Sequence, residues 1–280
     1  MCYLADEPLN TTTMKRFLIL LLATGTLSFG SCTMKTEVDP SQEFSQELDY
    51  FQLKKYNYET PAQEALLDGY FENALLPAFH RAGLSHIGVF KPIGGLDEEQ
   101  NYFMVLVPYR DLNQFEETPS LLEKDAAYQE AASTYVDAPH DQSPYTRIES
   151  FLLRAFSATP TLALPELTSP RSGRVYELRS YEAATEKLYQ LKVEMFNEGE
   201  SALFQELQFN PVFFGEVLSS SHMPHLMYMT THADTTAQKE NWAAFAAHPE
   251  WERMKNLERY QNTVSNITRY QLYPTEYSDY

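Results

Sequence analysis

The chain has 280 residues, a formal net charge of −18 and 43% hydrophobic residues. This apolar content suffices for one large core or two small ones, so the composition excludes a mainly disordered chain. The acidic surface would repel phosphate backbones and anionic lipid headgroups, so nucleic acid and a membrane surface are not expected as partners of the folded part.

The amino terminus is typical of a targeting segment. Met14-Lys15-Arg16 precedes the apolar run at residues 17–29, which is too short to span a bilayer. We therefore expect residues 1–31 to be a signal-peptide region, with Met14 as the true start. The chain has two cysteines, Cys2 and Cys32, so a framework of internal disulfides is not expected.

Cys32 lies where a lipid could be attached. It follows Gly30-Ser31 and precedes a polar stretch, a pattern that resembles a bacterial lipoprotein cleavage site. We expect an exported, periplasm-facing lipoprotein of the cell envelope, held only by a lipid on Cys32, with residues 32–47 as a polar tether. Simple secretion is the alternative.

Residues 48–156 form the first predicted folded unit. Its pattern predicts strands at 50–56, 85–91, 102–107 and 148–156. Thr60-Pro61 begins a predicted helix that ends near Gly83, and a second helix is predicted at 120–132. The order is β-α-β-β-α-β. Residues 157–173, which contain three prolines, form a semi-rigid linker.

Residues 174–280 form the second predicted unit, and its pattern has the same order. Strands are predicted at 174–181, 212–218, 225–231 and 267–273. A long amphipathic helix interrupted at Gly199 follows the first strand. The second helix, at 235–247, is broken before Pro249 and resumes over 249–260.

Three segments of the second unit carry a family resemblance. They are RVYELRSY at 174–181, HLMYMTT at 225–231 and Pro249-Glu250-Trp251. Over residues 174–275 the chain resembles the NIPSNAP family, which has a Y-E-L-R-x-Y opening strand, a central His-Leu strand and a late P-E-W turn. The resemblance implies a ferredoxin-like unit whose relatives pair into an α+β barrel. It implies no catalytic residues, because the family has no agreed set.

The first unit looks like a second copy of this module. YFQLKKY at 50–56 aligns with VYELRSY at 175–181, which places Lys54 on Arg179 and Tyr56 on Tyr181. The first copy lacks P-E-W, and Tyr128 is the nearest equivalent of Trp251. We therefore predict an α+β fold of two tandem ferredoxin-like units that pair through their sheets into a pseudo-dimeric α+β barrel. A monomer is possible, since one chain can close the barrel.

Strand alternation suggests where a site would lie. Glu177, Arg179 and Tyr181 share one face of their strand, and the mainly apolar alternate residues are expected to face the helices. The three polar residues would then face the space between the two sheets. By the same register Lys54 and Tyr56 would face it from the first unit, beside Gln52, and His225 from the third strand of the second unit.

Two interpretations of this face remain open. In the first, Arg179 and Glu177 pair with each other, or with Lys54 across the interface, and specify how the halves dock. In the second, Arg179 and Lys54 bind an acidic or carbonyl ligand while Tyr56, Tyr181 and His225 orient it.

Familiar catalytic and metal motifs are missing from the sequence. His222 and His225 form H-x-x-H, but Pro224 lies between them and no acidic residue completes a set. G-x-S-x-G, G-x-G-x-x-G and C-x-x-C are absent. No catalytic residue, metal site or cofactor is predicted. The leading expectation is a non-catalytic envelope protein that binds an unknown small molecule or an envelope protein. The alternative is a small α+β-barrel enzyme, monooxygenase- or isomerase-like, that acts in the space between the sheets.

Overall fold

A computed structural model of the chain describes residues 47–94 and 101–280. The predicted signal region, Cys32 and all of the predicted tether except its last residue lie outside the described residues, so those predictions remain untested.

The first unit contains four strands and two interrupted helices. Its strands are β1 (Tyr50–Asn57), β2 (Gly88–Pro92), β3 (Tyr102–Tyr109) and β4 (Arg147–Ala155). Between β1 and β2, helices α1 (Pro61–Tyr70) and α2 (Leu76–Arg81) are joined by a π-helical turn (Phe71–Leu75). Between β3 and β4 lie α3 (Leu112–Lys124), α4 (Ala126–Ala131) and α5 (Ser133–Val136).

The second unit repeats this plan. Its strands are β5 (Val175–Glu182), β6 (Phe213–Ser219), β7 (His225–His232) and β8 (Asn266–Pro274). Helices α6 (Glu186–Met195) and α7 (Ser201–Glu206) flank a π-helical turn (Phe196–Glu200). Helices α8 (Thr235–Ala247) and α9 (Pro249–Lys255) lie between β7 and β8.

The eight strands close into one barrel. Their order around it is β1-β3-β2-β8-β5-β7-β6-β4, and every neighbouring pair is antiparallel. Each unit contributes four adjacent strands in the same internal order, fourth, first, third, second. The units join where β2 pairs with β8 and where β4 pairs with β6. The predicted α+β fold, with two ferredoxin-like units closing a barrel within one chain, is confirmed.

The barrel interior is an apolar core. An eight-stranded barrel is just wide enough for side chains to fill it. Both units contribute to the filling, including Phe51, Leu53, Tyr176, Leu178 and Met229. The helices cover the outer face of the sheet and form a separate apolar cluster with it in each unit.

The predicted facing of β1 and β5 is wrong. Tyr176 and Leu178 point into the barrel. Glu177, Arg179 and Tyr181 lie on the outer face, where they contact side chains of the second unit's helices or of the outer face of β7. The physical reason is that the narrow interior takes the apolar side chains of β1 and β5, while the polar groups on the outer face of β5 can reach polar helix side chains.

The second helix of the first unit begins earlier than predicted. The sequence predicts a helix at 120–132, but α3 begins after Asp111, whose carboxylate accepts the backbone N–H of Gln114 at 2.8 Å. The Gln114 side chain in turn accepts the N–H of Arg110 at 2.9 Å. This capping stabilises a helix start before Pro119, which the helix contains in its interior.

Register and caps define equivalent positions in the two units. Lys54 pairs with Val105, and Arg179 pairs with Tyr228, so Val105 and Tyr228 are equivalent if Lys54 and Arg179 are. The N-caps Asp111 and Asp234 begin equivalent helices. Pro119 and Trp242 each lie eight residues after that cap. Likewise Tyr128 and Trp251 each follow a second cap, Asp125 or His248, by three residues.

Candidate functional site

The predicted site residues lie in three separate places. Arg179, Glu177 and Tyr181 lie together under the helices of the second unit. Lys54 and Tyr56 border a cavity under the helices of the first unit. Strands β1 and β5 are four positions apart in the eight-stranded barrel, hence on opposite sides. The expectation that Arg179 and Lys54 grip one ligand, or pair across the interface, is therefore wrong.

Arg179 is held by its own unit. Its Nε and Nη2 lie 2.7 Å and 2.6 Å from Glu177 Oε1, and Nη1 lies 3.3 Å from the Tyr181 hydroxyl. The guanidinium stacks 3.6 Å from the ring centre of Trp242. Burial by itself lowers the pKa of Arg179, but its electrostatic interactions with Tyr228, Tyr181 and Glu177 raise the pKa above its ordinary value overall. The group stays protonated and fully partnered.

Glu177 completes this cluster. Its Oε2 accepts hydrogen bonds from the Trp242 indole N–H and the Gln238 amide, both at 2.7 Å. Arg179 occupies the other oxygen. The polar groups of Arg179, Glu177 and Tyr181 all have protein partners, which makes the cluster a structural element with little room for a ligand.

The first unit has a cavity at the equivalent place. Its volume is about 350 Å³, and its walls are the outer face of β1, β3 and β4 and the helices α1 to α5. Lys54 and Gln52 form part of its floor, together with Val105. Most of the remaining wall is apolar or aromatic, including Phe79 and Tyr128. Cavities of this size and character are typical of small-molecule sites.

Lys54 has no hydrogen-bond or ion-pair partner among residues 47–94 and 101–280. Burial lowers the pKa of its amine from the ordinary value, because the charged form is deprived of water. Arg179, its equivalent in the second unit, has Glu177 beside it. The position of Glu177 is taken in the first unit by Gln52, which is bonded to Ser150 at 3.0 Å and carries no charge.

Smaller side chains open the cavity. Val105 stands where the second unit has Tyr228, and Pro119 stands where it has Trp242. Both large aromatic residues fill the space around Arg179 in the second unit. The loss of these two rings leaves space between sheet and helices in the first unit.

Tyrosine hydroxyls form the polar part of the cavity wall. The hydroxyls of Tyr70 and Tyr128 lie 3.0 Å apart, and the ring of Tyr70 stacks on Tyr135 with centres 3.7 Å apart. Burial is the main cause that raises the pKa of Tyr56 well above its ordinary value. The wall therefore offers neutral hydroxyls, and Lys54 is its cation.

His225 lies at one end of the barrel, apart from both clusters. Its Nδ1 is 2.7 Å from Ser180 Oγ and its Nε2 is 2.8 Å from Ser220 Oγ. Ser220 donates its proton to the carbonyl of His222 at 2.8 Å, so it must accept from His225 Nε2–H, and Ser180 must donate to Nδ1. Burial lowers the pKa of His225 to about 4, which keeps the ring neutral. A hollow of about 300 Å³ adjoins it.

Sequence reasoning missed Val105, Pro119 and the contact of Trp242 with Arg179. The signal was available in the offset between the two copies, because Asp111 and Asp234 align once the third strands are superposed. Reading along either copy alone gives no such signal.

Two further properties concern the described residues. They contain no group of three or more His, Cys, Asp or Glu side chains placed to hold a metal ion. In the same part of the chain, no helix combines the length and the apolar character that crossing a membrane requires.

Comparisons with known proteins give a family match for part of the chain and a fold for most of it. Residues 176–279 match the family model described as NIPSNAP. No curated protein matches the chain.

Two solved structures share the fold across most of the chain. A proposed monooxygenase from Lactobacillus acidophilus NCFM is 11% identical, with a TM-score of 0.55 over 81% of this chain and 94% of its own. A proposed monooxygenase from Fusobacterium nucleatum subsp. nucleatum is 8% identical, with a TM-score of 0.51 over 81% of this chain and 92% of its own. At such identities the similarity establishes the barrel fold alone.

Proposed function

Since residues 176–279 are a NIPSNAP domain and the first unit repeats its fold around a cavity, we propose that the protein is a small-ligand-binding module. The ligand occupies the cavity of about 350 Å³ between the first unit's sheet and helices. This volume suits a small molecule better than a segment of another protein, so a small ligand is favoured over an envelope protein as the partner.

The unpartnered amine of Lys54 carries this proposal. Burying an ammonium group without a partner costs free energy that a purely structural residue has no reason to retain. A ligand with an acidic oxygen would pair with the amine and recover that energy. The hydroxyls of Tyr70 and Tyr128 and the side chain of Gln52 can orient it.

Filling the cavity tests the proposal. Val105→Tyr restores the ring that the second unit has at the equivalent position, and Leu218→Tyr adds a similar ring at an exposed site as the matched control. Binding of 2-naphthoate and decanoate is measured by calorimetry, and folding by circular dichroism. We expect at least one acid to bind the wild type and the control, and to bind folded Val105→Tyr at least about tenfold more weakly. Equal binding to all three proteins, or binding to none, refutes the proposal.

A small enzyme acting in the same cavity is the second candidate. Burial lowers the pKa of Lys54, which favours the neutral amine, the form that can accept a proton from a bound molecule. The two fold relatives are proposed monooxygenases, which supports oxidation over isomerisation as the first reaction to test. Oxygen uptake with naphthalenediols should exceed the autoxidation rate in the wild type and return to it in Lys54→Met. Equal uptake by both proteins excludes this candidate.

We also propose that the mature chain is an envelope lipoprotein anchored through Cys32. The support is the short apolar run at 17–29 followed by Gly30-Ser31 and a polar segment. Cys32→Ser should move the protein from the detergent phase to the aqueous phase. Fatty-acid labelling that persists in the variant contradicts lipidation at Cys32.

A further inference from the structure

The second unit contains an internal occupant in the place of the first unit's cavity. The Trp242 indole lies over the Arg179 guanidinium at 3.6 Å and donates its N–H to Glu177 at 2.7 Å. Phe209 and Phe204 meet the indole edge-to-face, with ring centres 4.8 Å and 5.7 Å away. The flat two-ring group of Trp242 is therefore held by a cation under its face, a hydrogen-bond acceptor at its N–H and aromatic rings at its sides.

The first unit keeps part of this frame and lacks the indole. Lys54 replaces Arg179 as the cation, and Gln52, whose Oε1 accepts from the Tyr109 hydroxyl at 3.4 Å, stands at the position of Glu177. Phe79 is the equivalent of Phe204, since each lies nineteen residues after its N-cap threonine. Phe79 also lines the cavity. Pro119 takes the position from which Trp242 enters, so the frame is available to a molecule from outside.

The balance of charge differs between the units. In the second unit Glu177 neutralises Arg179, whereas in the first unit Gln52 leaves Lys54 uncompensated. Glu116 reaches the cavity rim, but its side chain is exposed and no hydrogen bond joins it to Lys54. A molecule that copies the indole must therefore also supply the negative charge that the second unit draws from Glu177.

We propose that the ligand of the first unit is a planar fused-ring aromatic molecule with an anionic oxygen, such as an aryl carboxylate or a phenolate. The flat rings occupy the place of the indole, and the anionic oxygen pairs with Lys54. This inference rests on the proposed ligand-binding function and specifies its ligand class.

Three matched probes separate the parts of this inference. The first is 2-naphthoate, the second is decahydro-2-naphthoate, which keeps the acid and two rings but is not planar, and the third is 2-naphthamide, which keeps the planar rings without the charge. Affinities are measured by calorimetry for the wild type, Lys54→Met and Lys54→Arg. We expect 2-naphthoate to bind the wild type about tenfold more tightly than either of the other probes. Lys54→Met should remove the preference for the acid over the amide, and Lys54→Arg should retain it.

The outcomes distinguish this inference from the function on which it rests. If decahydro-2-naphthoate binds as tightly as 2-naphthoate and Val105→Tyr abolishes both, the aromatic class is refuted while the binding function stands. If 2-naphthamide binds as tightly as the acid, the anionic requirement is refuted. If no probe, decanoate included, binds the wild type, both proposals fail.

Discussion

Trp242→Ala should open a cavity in the second unit at the place equivalent to the first unit's cavity. The substitution removes the stack on Arg179, the hydrogen bond to Glu177 and the contacts with Phe204 and Phe209. Glu177 keeps its bonds to Arg179 and Gln238, so no carboxylate is left unpartnered. The loss is therefore mainly one of packing.

The magnitude follows from the burial of the ring. Truncation of a buried tryptophan to alanine costs about 3–5 kcal/mol, and Trp242 is only partly buried, so we expect about 3 kcal/mol. For a chain of this size each kcal/mol lowers Tm by roughly 2–4 °C, which predicts a decrease of roughly 6–12 °C.

Free indole should repair the variant. At about 100 times its Kd a ligand stabilises the folded state by about 2.7 kcal/mol, nearly the whole predicted loss. Thermal unfolding is followed for wild type and Trp242→Ala with increasing indole, and 1-methylindole tests the N–H bond to Glu177. A loss below about 1 kcal/mol, or equal stabilisation of wild type and variant by indole, would refute the equivalence of the two sites.

Three other substitutions probe the two units. Lys192→Leu should lower the free energy of urea unfolding by about 3–5 kcal/mol, because it leaves the carboxylate of Glu200, which lies 2.6 Å from the lysine amine, buried and unpaired. Adding Glu200→Leu should recover most of the lost stability, and additive losses from the two substitutions would contradict this pairing. Because burial lowers the pKa of Lys54 from 10.5, the charged amine destabilises the folded protein at pH 7, and this cost fades as the pH rises towards 10.5. Lys54→Met should therefore be more stable than the wild type at pH 7 and lose that advantage by pH 10.5. A difference in stability that stays constant with pH counts against this. Gly88→Ala should cost about 1–3 kcal/mol, since its Cβ would collide with the Phe90 ring in the filled barrel, whereas Gly173→Ala meets nothing within 4 Å and should be nearly neutral.

The sequence is sufficient to predict the fold because the pattern occurs twice. Matching opening strands predict one unit repeated, and the structure adds matching helix caps at Thr60 and Thr185. A sheet with helices on one face only needs a second layer on its other face. Closure then follows from pairing two such units.

The facing of the strands could not be predicted in the same way. Seven of the eight residues of β5 are buried, because the barrel interior covers one face and the helices cover the other. Alternation therefore separates two sets, such as Glu177 with Arg179 and Tyr176 with Leu178, without indicating which set points inwards. Only the width of the closed barrel decides it.

The cavity could not be predicted from either unit alone. It results from two ordinary residues, Val105 and Pro119, whose significance appears only beside Tyr228 and Trp242. A small side chain in a strand or helix gives no local sign of the space around it.

The joining of both units in one chain removes a constraint that symmetry imposes on assemblies. In a dimer of identical subunits every substitution appears at both sites, so a residue change that benefits one site is forced on the other. Here β2 pairs with β8, and β4 with β6, within a single polypeptide. Mutation and selection can then act on each unit separately. A substitution that destabilises one unit is not repeated in the other unit, which still helps to keep the barrel closed.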